Sequence, residues 1–373
     1  MIPFSYGKIL ADDNFTDRES DLSRLAGNFS GLVNTILISP RRWGKSSLVS
    51  RALKQMDGNE FLTISFDAFR SRDWESFLNN YASAIGRMSG SDREFASLVA
   101  SLIPSLKPRI TIQFGELTVG LETEINLKKN PMSVDEILDL PQKIAERKRK
   151  KVIVCIDEFQ NIADYKDSLS IQKVLRSHWQ THTDVAYCLF GSKFNVMSKL
   201  ISKPKMPFYK FGDVIYLQKI SEDKWIPFIA GKFAANGKRI SPENAALIAR
   251  ICKNHPYYVQ QLSQISWLHT PDGKECTEDI VNEALSALED QLSMQFLQTV
   301  TELTNTQLEY IRALCDGVVS FSSLSVLKDY RIGTAPNVIN IKKTLERKEI
   351  ITTFPDRTEL QDPIFEHWLK VNR

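Results

Sequence analysis

The sequence predicts an α/β fold: a parallel sheet wound with helices, followed by a helical segment and a small C-terminal module. Three observations predict it. Apolar runs of strand length alternate with helical patterns through the first 220 residues. Two of those runs, "KVIVCID" and "VAYCLFGS", are almost wholly apolar, as strands buried on both faces must be. The chain has 373 residues, 42% hydrophobic and 25% charged, which suits an ordinary globular protein of two or three domains. The expected division is 1–220 for the α/β core, 221–292 for the helical segment and 293–373 for the C-terminal module.

The strand-like runs are "TILIS" (35–39), "EFLTISFDAF" (60–69), "KVIVCID" (151–157) and "VAYCLFGS" (185–192). Between them "GKSSLVSRALKQM" and "WESFLNNYASAIGRM" read as helices. Near 109–127, "RITIQFGELTVGLETEINL" changes type and reads as a β-hairpin inserted before the next core strand. From 221 to about 291 the pattern is helical, broken at Gly237, at "NHPYY" and at "TPDGKE". From 303 onward come three short helical patterns and then "ITTF" and "TELQD". Three helices followed by a two-stranded wing is the order of a winged helix.

The run "TILISPRRWGKSSLV" carries the main chemical signal. A strand enters a loop at Pro40, Arg41, Arg42 and Trp43, and a helix is expected to start at about Gly44. Unpaired backbone N–H groups at such a helix start cradle anionic oxygens, helped by the helix dipole. Gly44 lets the backbone approach closely, Lys45 can reach β- and γ-phosphates, and Ser46 can place its hydroxyl on Mg²⁺, with Ser47 beside it. The strict pattern G-x-x-x-x-G-K-[ST] has Gly where this chain has Ser39. That position lies where the chain leaves the strand, and a small residue keeps the turn if its φ stays negative. Alone, G-K-S-S could simply open a helix; the apolar strand before it and the amphipathic helix after it favour a nucleotide loop.

"KVIVCIDEF" ends its strand in two adjacent carboxylates, and strand alternation would point them to different sides. Asp157 is the expected Mg²⁺ acid, and Glu158 the group that polarises the attacking water. Ser192, at the end of the next apolar run, is placed to sense the γ-phosphate; Asn195 is a second candidate. The plain alternative for each is a polar residue capping a strand at a solvated turn.

Net charge is +3, from 48 basic and 45 acidic residues, so any basic surface is local. Five cysteines, with no C-x-x-C pair, suggest reduced buried thiols and a cytoplasmic protein. The first residues hold no long apolar run, so no signal peptide is expected. No uncharged apolar run reaches the ~18 residues of a membrane span.

Taken together, these segments resemble the archaeal/bacterial ATPase family of P-loop proteins, in the wider AAA+ and STAND clade and similar in layout to origin-recognition ATPases. The resemblance runs through "NFTDRESDL" (14–22), "PRRWGKSSL", "CIDEFQNI", "LFGSKFNVM", "MPFYKFGDVIYLQKIS" (206–221), "NHPYYVQQL" (254–262) and "DPIFEHWL" (362–369). It implies a P-loop NTPase sheet with a helical lid and a C-terminal winged-helix domain, and an ATP/ADP and Mg²⁺ site. It implies that Phe15, Arg18 and Glu19 frame the base, Phe15 by stacking and Arg18 as a planar donor. A helix start at Thr16 to Glu19 with Phe15 as its staple is the structural alternative. His255 and Pro256 would lie in the lid near the nucleotide. Many members carry Gly before this His-Pro, where this chain has Asn254. A basic residue near "PFYKF" often serves as the arginine finger; here it is Lys210, and Arg176 is another candidate.

In "PNVINIKKTLERKEI", Val338, Ile341 and Leu345 form a core-facing stripe, leaving Lys342, Lys343, Arg347 and Lys348 on the remaining surface. Those four could meet DNA phosphates, or the module could serve for packing or protein contact. The expected function is an ATP-binding, slowly ATP-hydrolysing switch, with nucleotide state controlling the lid and winged helix. The alternative is a DNA-binding protein that uses ATP structurally. A protein partner is a further expectation, and no membrane association is expected.

Overall fold

The computed structural model describes residues 3–8, 15–56, 58, 60–87, 108–113, 116–121 and 132–372. It divides into two compact units. One, the α/β unit, comprises Glu19–Ser39 and Lys45–Leu217; the other, the helical unit, comprises Met1–Arg18, Pro40–Gly44 and Gln218–Arg373.

The α/β unit opens with α1 (Glu19–Ser30), β1 (Thr35–Ile38), α2 (Lys45–Gln55), β2 (Phe61–Asp67) and α3 (Trp74–Arg87). An antiparallel pair follows, β3 (Pro108–Gln113) and β4 (Glu116–Leu121), in register Gln113↔Glu116. The pair falls within the segment 109–127 where a hairpin is expected; residues 114–115 and 122–127 of that segment lie outside the described residues. Then come α4 (Met132–Leu138), α5 (Leu140–Lys148), β5 (Lys151–Asp157), α6 (Ser168–Trp179), β6 (Val185–Gly191), α7 (Phe194–Ile201) and β7 (Asp213–Tyr216).

Five strands form one sheet in the order β2-β5-β6-β1-β7, and every pair is parallel. All seven residues of β6 are buried, as its apolar run requires of a strand with neighbours on both edges. β7 lies within the segment 206–221, which offers only four residues to the sheet. Its first residue, Asp213, is clamped by Arg24 through contacts of 2.9 and 2.5 Å and by Asn28 at 2.8 Å. The core beneath the sheet is rich in rings. Trp179 stacks on Tyr187 with centroids 4.5 Å apart, and Phe77, Tyr81, Phe208 and Phe211 extend the cluster. Each such buried ring stabilises the unit by roughly 1.5–3 kcal/mol through its apolar area alone.

Strand order positions the chemistry. The loop after β1 and the acids after β5 belong to strands that are not neighbours, because β6 lies between them. Their C-terminal ends therefore flank the end of β6, the crevice where parallel α/β sheets bind ligands.

The helical unit holds α8 (Glu222–Ala235), β8 (Arg239–Ile240), α9 (Pro242–Ile251), α10 (Pro256–His269), β9 (Glu275–Cys276) and α11 (Glu278–Thr301). It continues with α12 (Asn305–Cys315), α13 (Leu324–Asp329), α14 (Ala335–Arg347), β10 (Ile351–Thr353), β11 (Thr358–Leu360) and α15 (Pro363–Val371). The sequence punctuates these helices well. Ser241, Thr277 and Asp362 accept hydrogen bonds at the N-termini of α9, α11 and α15, and Thr304 and Gln307 form a reciprocal capping box on α12. Proline stands in the first turn of α9, α10, α14 and α15, where its missing N–H costs nothing.

One hydrophobic core serves the whole helical unit, from Trp225 and Phe233 to Phe365 and Leu369. Helix α11 runs unbroken through position 292, where the sequence suggests a boundary, and its Phe296 packs on Phe365 at 5.2 Å. In α14, Val338, Ile341 and Leu345 are buried, the stripe its periodicity predicts. β10 and β11 pair antiparallel, with Ile351 opposite Leu360. Helices α12, α13 and α14, the β10–β11 pair and α15 thus follow α11.

Candidate functional site

β1 ends at Ile38, and Ser39 is buried with a negative φ. The departure from glycine at that position therefore needs no left-handed backbone. The left-handed residues of the loop are Arg42 at φ 62° and Gly44 at φ 96°. A Cβ built on Gly44 meets no atom within 4 Å, so the loop has open space there, and only glycine takes φ 96° without strain. Helix α2 begins at Lys45, one residue later than the sequence suggests.

In the α/β unit Lys45 is 8% exposed, and its ammonium lies 3.0 Å from Glu158 Oε1 and 3.6 Å from Asp157 Oδ1. Ser46 donates to Asp157 Oδ2 at 2.9 Å, and Ser192 donates to Glu158 Oε2 at 2.8 Å. Gln160, which sequence reading passed over, donates through Nε2 to the same Glu158 oxygen. One cluster thus gathers Lys45 and Ser46 from the start of α2, Asp157 and Glu158 from the end of β5, and Ser192 from just past β6. Asn195, in the first turn of α7, makes none of these contacts.

The expectation that Asp157 and Glu158 point to different sides is corrected. β5 stops at Asp157, and Glu158 takes φ 50°, ψ 36° as the chain turns into the 3₁₀ segment Phe159–Asp164. Strand alternation no longer applies, and both carboxylates reach Lys45. The Glu158 N–H donates to Asp157 Oδ1 at 2.8 Å, which fixes the turn.

The two acids differ in their titration. Burial pushes the Asp157 carboxyl above its ordinary value, against the pull of the Lys45 ammonium, and the Glu158 charge adds to the rise. Burial also opposes ionisation of Glu158. There the Lys45 charge and hydrogen bonds from Gln160, Lys45 and Ser192 outweigh it, and the carboxyl is held below its usual range.

Ser46 Oγ and Asp157 Oδ2 present hard oxygen donors side by side, a set that fits Mg²⁺. Among the described residues no group of three or more His, Cys, Asp or Glu side chains could hold a metal unaided. Mg²⁺ needs no such group, because it keeps waters and takes phosphate oxygens beside one or two protein ligands.

The loop apex belongs to the helical unit, and its side chains are engaged there. Arg41 pairs with Glu349 at 2.8 Å, Arg42 lies over the Tyr257 ring at 4.4 Å, and Trp43 stacks on Phe354 with centroids 6.2 Å apart. Lys219 lies 5.5 Å from the Trp43 ring and pairs with Glu359. A small surface depression in the helical unit is lined by residues including Pro40, Trp43, Lys219, His255, Phe354 and Glu359.

Arg18, expected beside the base, is buried and donates to the carbonyls of Gln218 at 2.7 Å and Trp43 at 3.1 Å. Its fork braces backbone within the helical unit. Phe15 is half-buried in that unit, and Glu19 is exposed in the first turn of α1 in the other. His255 stands at the N-cap position of α10 with no side-chain capping bond, and Pro256 starts the helix. Asn254, just before His255, takes φ 58°, a left-handed conformation that Asn tolerates better than most residues. Burial, then the Lys219 and Arg42 charges, push the His255 imidazole down to about 3. Arg176 lies over the Phe211 ring at 4.9 Å and Lys210 near the Tyr209 ring at 5.5 Å, so each has a local aromatic partner. On α14, Lys343 and Arg347 are exposed and Lys342 is half-buried. Lys348, just past its end, donates to the Glu302 carbonyl at 2.8 Å.

Residues 43–176 match the model described as the KAP family P-loop domain. No curated protein matches the sequence. Among solved structures the chain is similar to the Walker-type ATPase PABY2304 of Pyrococcus abyssi, at TM-score 0.69 and 17% identity, covering 99% of this chain and 100% of that one. It is also similar to the ORC2 protein of Aeropyrum pernix, solved as ADPNP–ADP complexes, at TM-score 0.58 and 14% identity over 99% of both chains. The A. pernix ORC1 protein, solved in complex with DNA, matches at TM-score 0.50 and 14% identity over 98% of this chain and 95% of that one. At such identities the likeness speaks for the fold. The chain therefore has the fold of a P-loop NTPase, and its residues 43–176 match the KAP family P-loop domain.

Proposed function

We propose that the protein binds ATP and hydrolyses it slowly, as a switch of the AAA+/STAND type. The observation that carries this reading is the convergence of Lys45, Ser46, Asp157, Glu158 and Ser192 in one cluster of the α/β unit. Lys45 and the unpaired amides that open α2 take the triphosphate tail, and Ser46 with Asp157 would hold Mg²⁺. Bound Mg²⁺ supplies charge neutralisation on the phosphate oxygens. Glu158 accepts a proton from the attacking water, and Ser192 fixes that carboxylate and lies at the γ-phosphate end. Lys45 counters the charge that the transition state gathers.

In this reading the lid and winged helix respond to the nucleotide. Arg41, Arg42 and Trp43 of the loop already contact Glu349, Tyr257 and Phe354 in the helical unit, so a change in loop conformation has partners to act on. The fold shared with ADPNP- and ADP-bound ORC2 supports the choice of adenine nucleotide. Five cysteines, all buried and unpaired, fit a reducing cytoplasmic setting, and no helix among the described residues is long and apolar enough to cross a membrane.

The test is Mg²⁺-dependent ATP turnover by the wild type and Lys45→Ala. Turnover is expected to fall at least ~100-fold in the variant, the scale seen when a group acting on transition-state charge is removed. Turnover that survives Lys45→Ala rejects the reading.

A second reading, a DNA-binding winged helix in which ATP is structural, is favoured by exposed Lys343 and Arg347 on α14 and by the DNA complex of ORC1. Fluorescence anisotropy with duplex DNA across a salt series decides it. Affinity should fall steeply with salt and weaken in Lys343→Glu/Arg347→Glu. No salt-dependent affinity, with or without ATP, discards it.

A further inference from the structure

Glu158 is held differently at its two oxygens. Oε1 has the Lys45 ammonium at 3.0 Å, whereas Oε2 accepts from two neutral donors, Ser192 Oγ at 2.8 Å and Gln160 Nε2. Lys45 is the group that a triphosphate draws away, because phosphate oxygens compete for its charge. Ser192 and Gln160 carry no charge and need not follow it. A nucleotide therefore frees one oxygen of Glu158 and leaves the other fastened.

Gln160 is built for that task. It is 1% exposed, and its backbone is set by the 3₁₀ segment that follows Glu158. Its amide orientation follows from the carboxylate, which accepts only, so the NH₂ must face Glu158. Its Oε1 is buried with no hydrogen-bond partner among the described residues. The fold tolerates that unsatisfied acceptor in order to keep the amide in place. Gly191, the last residue of β6, makes the room. A Cβ there would overlap Gln160 Oε1 and lie 3.0 Å from its Cδ and 3.2 Å from Met197 Cγ. Every larger residue at 191 displaces the amide, so Gly191 and Gln160 act as one device with Ser192 beside them.

We propose that Gln160 is a positioning residue for hydrolysis: with Ser192 it fastens Glu158 by Oε2 and aims the freed Oε1 at the attacking water. The inference rests on the ATPase reading above. In the step concerned, the water oxygen bonds to the γ-phosphorus and its proton passes to Glu158 Oε1. The bond from the γ-phosphorus to the bridging oxygen breaks, and ADP leaves with the electron pair. Gln160 touches neither water nor nucleotide in this scheme; it acts through Glu158. Removing it lets the carboxylate swing about its own side-chain torsions, which costs turnover and leaves ATP binding alone.

The experiment is a cycle of Gln160→Leu, Gly191→Ala and the double variant in the full chain. It measures steady-state turnover and the equilibrium affinity for a fluorescent ATP analogue, with thermal unfolding to check folding. Gln160→Leu is expected to lower kcat ~10- to 100-fold, a positioning loss smaller than removal of the base itself. ATP affinity is expected to stay within about twofold, because the interaction is made in the transition state. Gly191→Ala should lower kcat in the same direction, and the double variant should be no slower than Gln160→Leu alone, because the two changes strike one contact.

Wild-type turnover with an undiminished kcat in Gln160→Leu overturns this inference and leaves the ATPase reading standing. So does a loss confined to ATP affinity, or two changes whose effects multiply. Absence of any Lys45-dependent turnover in the wild type overturns both. If Gln160→Leu does not fold, Gln160→Met carries the same comparison, since it keeps the side-chain length and removes the donor.

Discussion

At Glu158 the backbone sits at φ 50°, ψ 36°, a left-handed conformation that costs a non-glycine residue roughly 1–2 kcal/mol. Its carboxylate answers with hydrogen bonds from Lys45, Gln160 and Ser192. Strain held by a surrounding network is what a functional residue tolerates and a mere turn residue does not need. Glu158→Gln keeps the side-chain shape but removes the proton acceptor. Turnover is expected to fall ~10²–10⁴-fold, the usual contribution of a positioned general base. ATP affinity should not fall, because Lys45 stays in place and loses the Glu158 charge that competes with phosphate for it. A single-turnover assay beside equilibrium binding checks both, and a variant with full activity would remove Glu158 from the chemistry. Much of this site was legible in the residues: G-K-S-S after an apolar strand, and Asp-Glu at the end of another. Gln160 was not, because its role depends on Gly191, thirty-one positions away, and a lone glycine ending a strand signals nothing by itself.

Among the elements, caps and turns follow local rules closely enough to be engineered. Helix α5 ends at Arg149, whose φ of 54° places a bulky exposed residue where glycine is preferred. Its N–H still closes the helix on the Ala145 and Glu146 carbonyls. Arg149→Gly is therefore expected to stabilise the chain by about 0.5–1 kcal/mol, since relief of the left-handed cost exceeds the entropy glycine adds to the unfolded state. Denaturant unfolding measures it, and a loss of stability would mean that the Arg149 side chain makes a contact worth more than its strain. The helices of the second unit were legible in the pattern from 221 onward and its breaks at Gly237 and "NHPYY", whereas the caps at Ser241 and Thr304 came from the structure. The short parallel pair β8–β9 could not, since two-residue strands carry no period.

Across the whole molecule, buried titratable groups tie stability to pH. His255 is neutral in the folded chain, with its imidazole pushed down to about 3 by burial and by the Lys219 and Arg42 charges. Unfolded, it titrates near ~6.5. Between those values the unfolded chain binds a proton that the folded chain does not, so stability falls as pH drops from ~6.5 toward 3. The slope from this one group is about 1.4 kcal/mol per pH unit well inside that window. His255→Gln should flatten the profile between pH 4 and 6, read from unfolding free energies in urea. An unchanged slope would show that His255 is protonated in the fold. Burial moves the imidazole of His182 in the same direction, so part of the acid sensitivity will persist in the variant.

The sequence by itself determined the parallel sheet, the phosphate loop, the acidic strand end and the helical order of the C-terminal residues. Each is written in a short stretch: an apolar run, a glycine beside a lysine, a helical pattern and its breaks. Tertiary structure alone decided that Lys45 meets Glu158 across 113 positions, that Trp43 stacks on Phe354, and that Gly191 admits Gln160. The physical reason is that periodicity and capping act over a few residues. Contacts between distant segments depend on strand order and on the volume left between packed side chains.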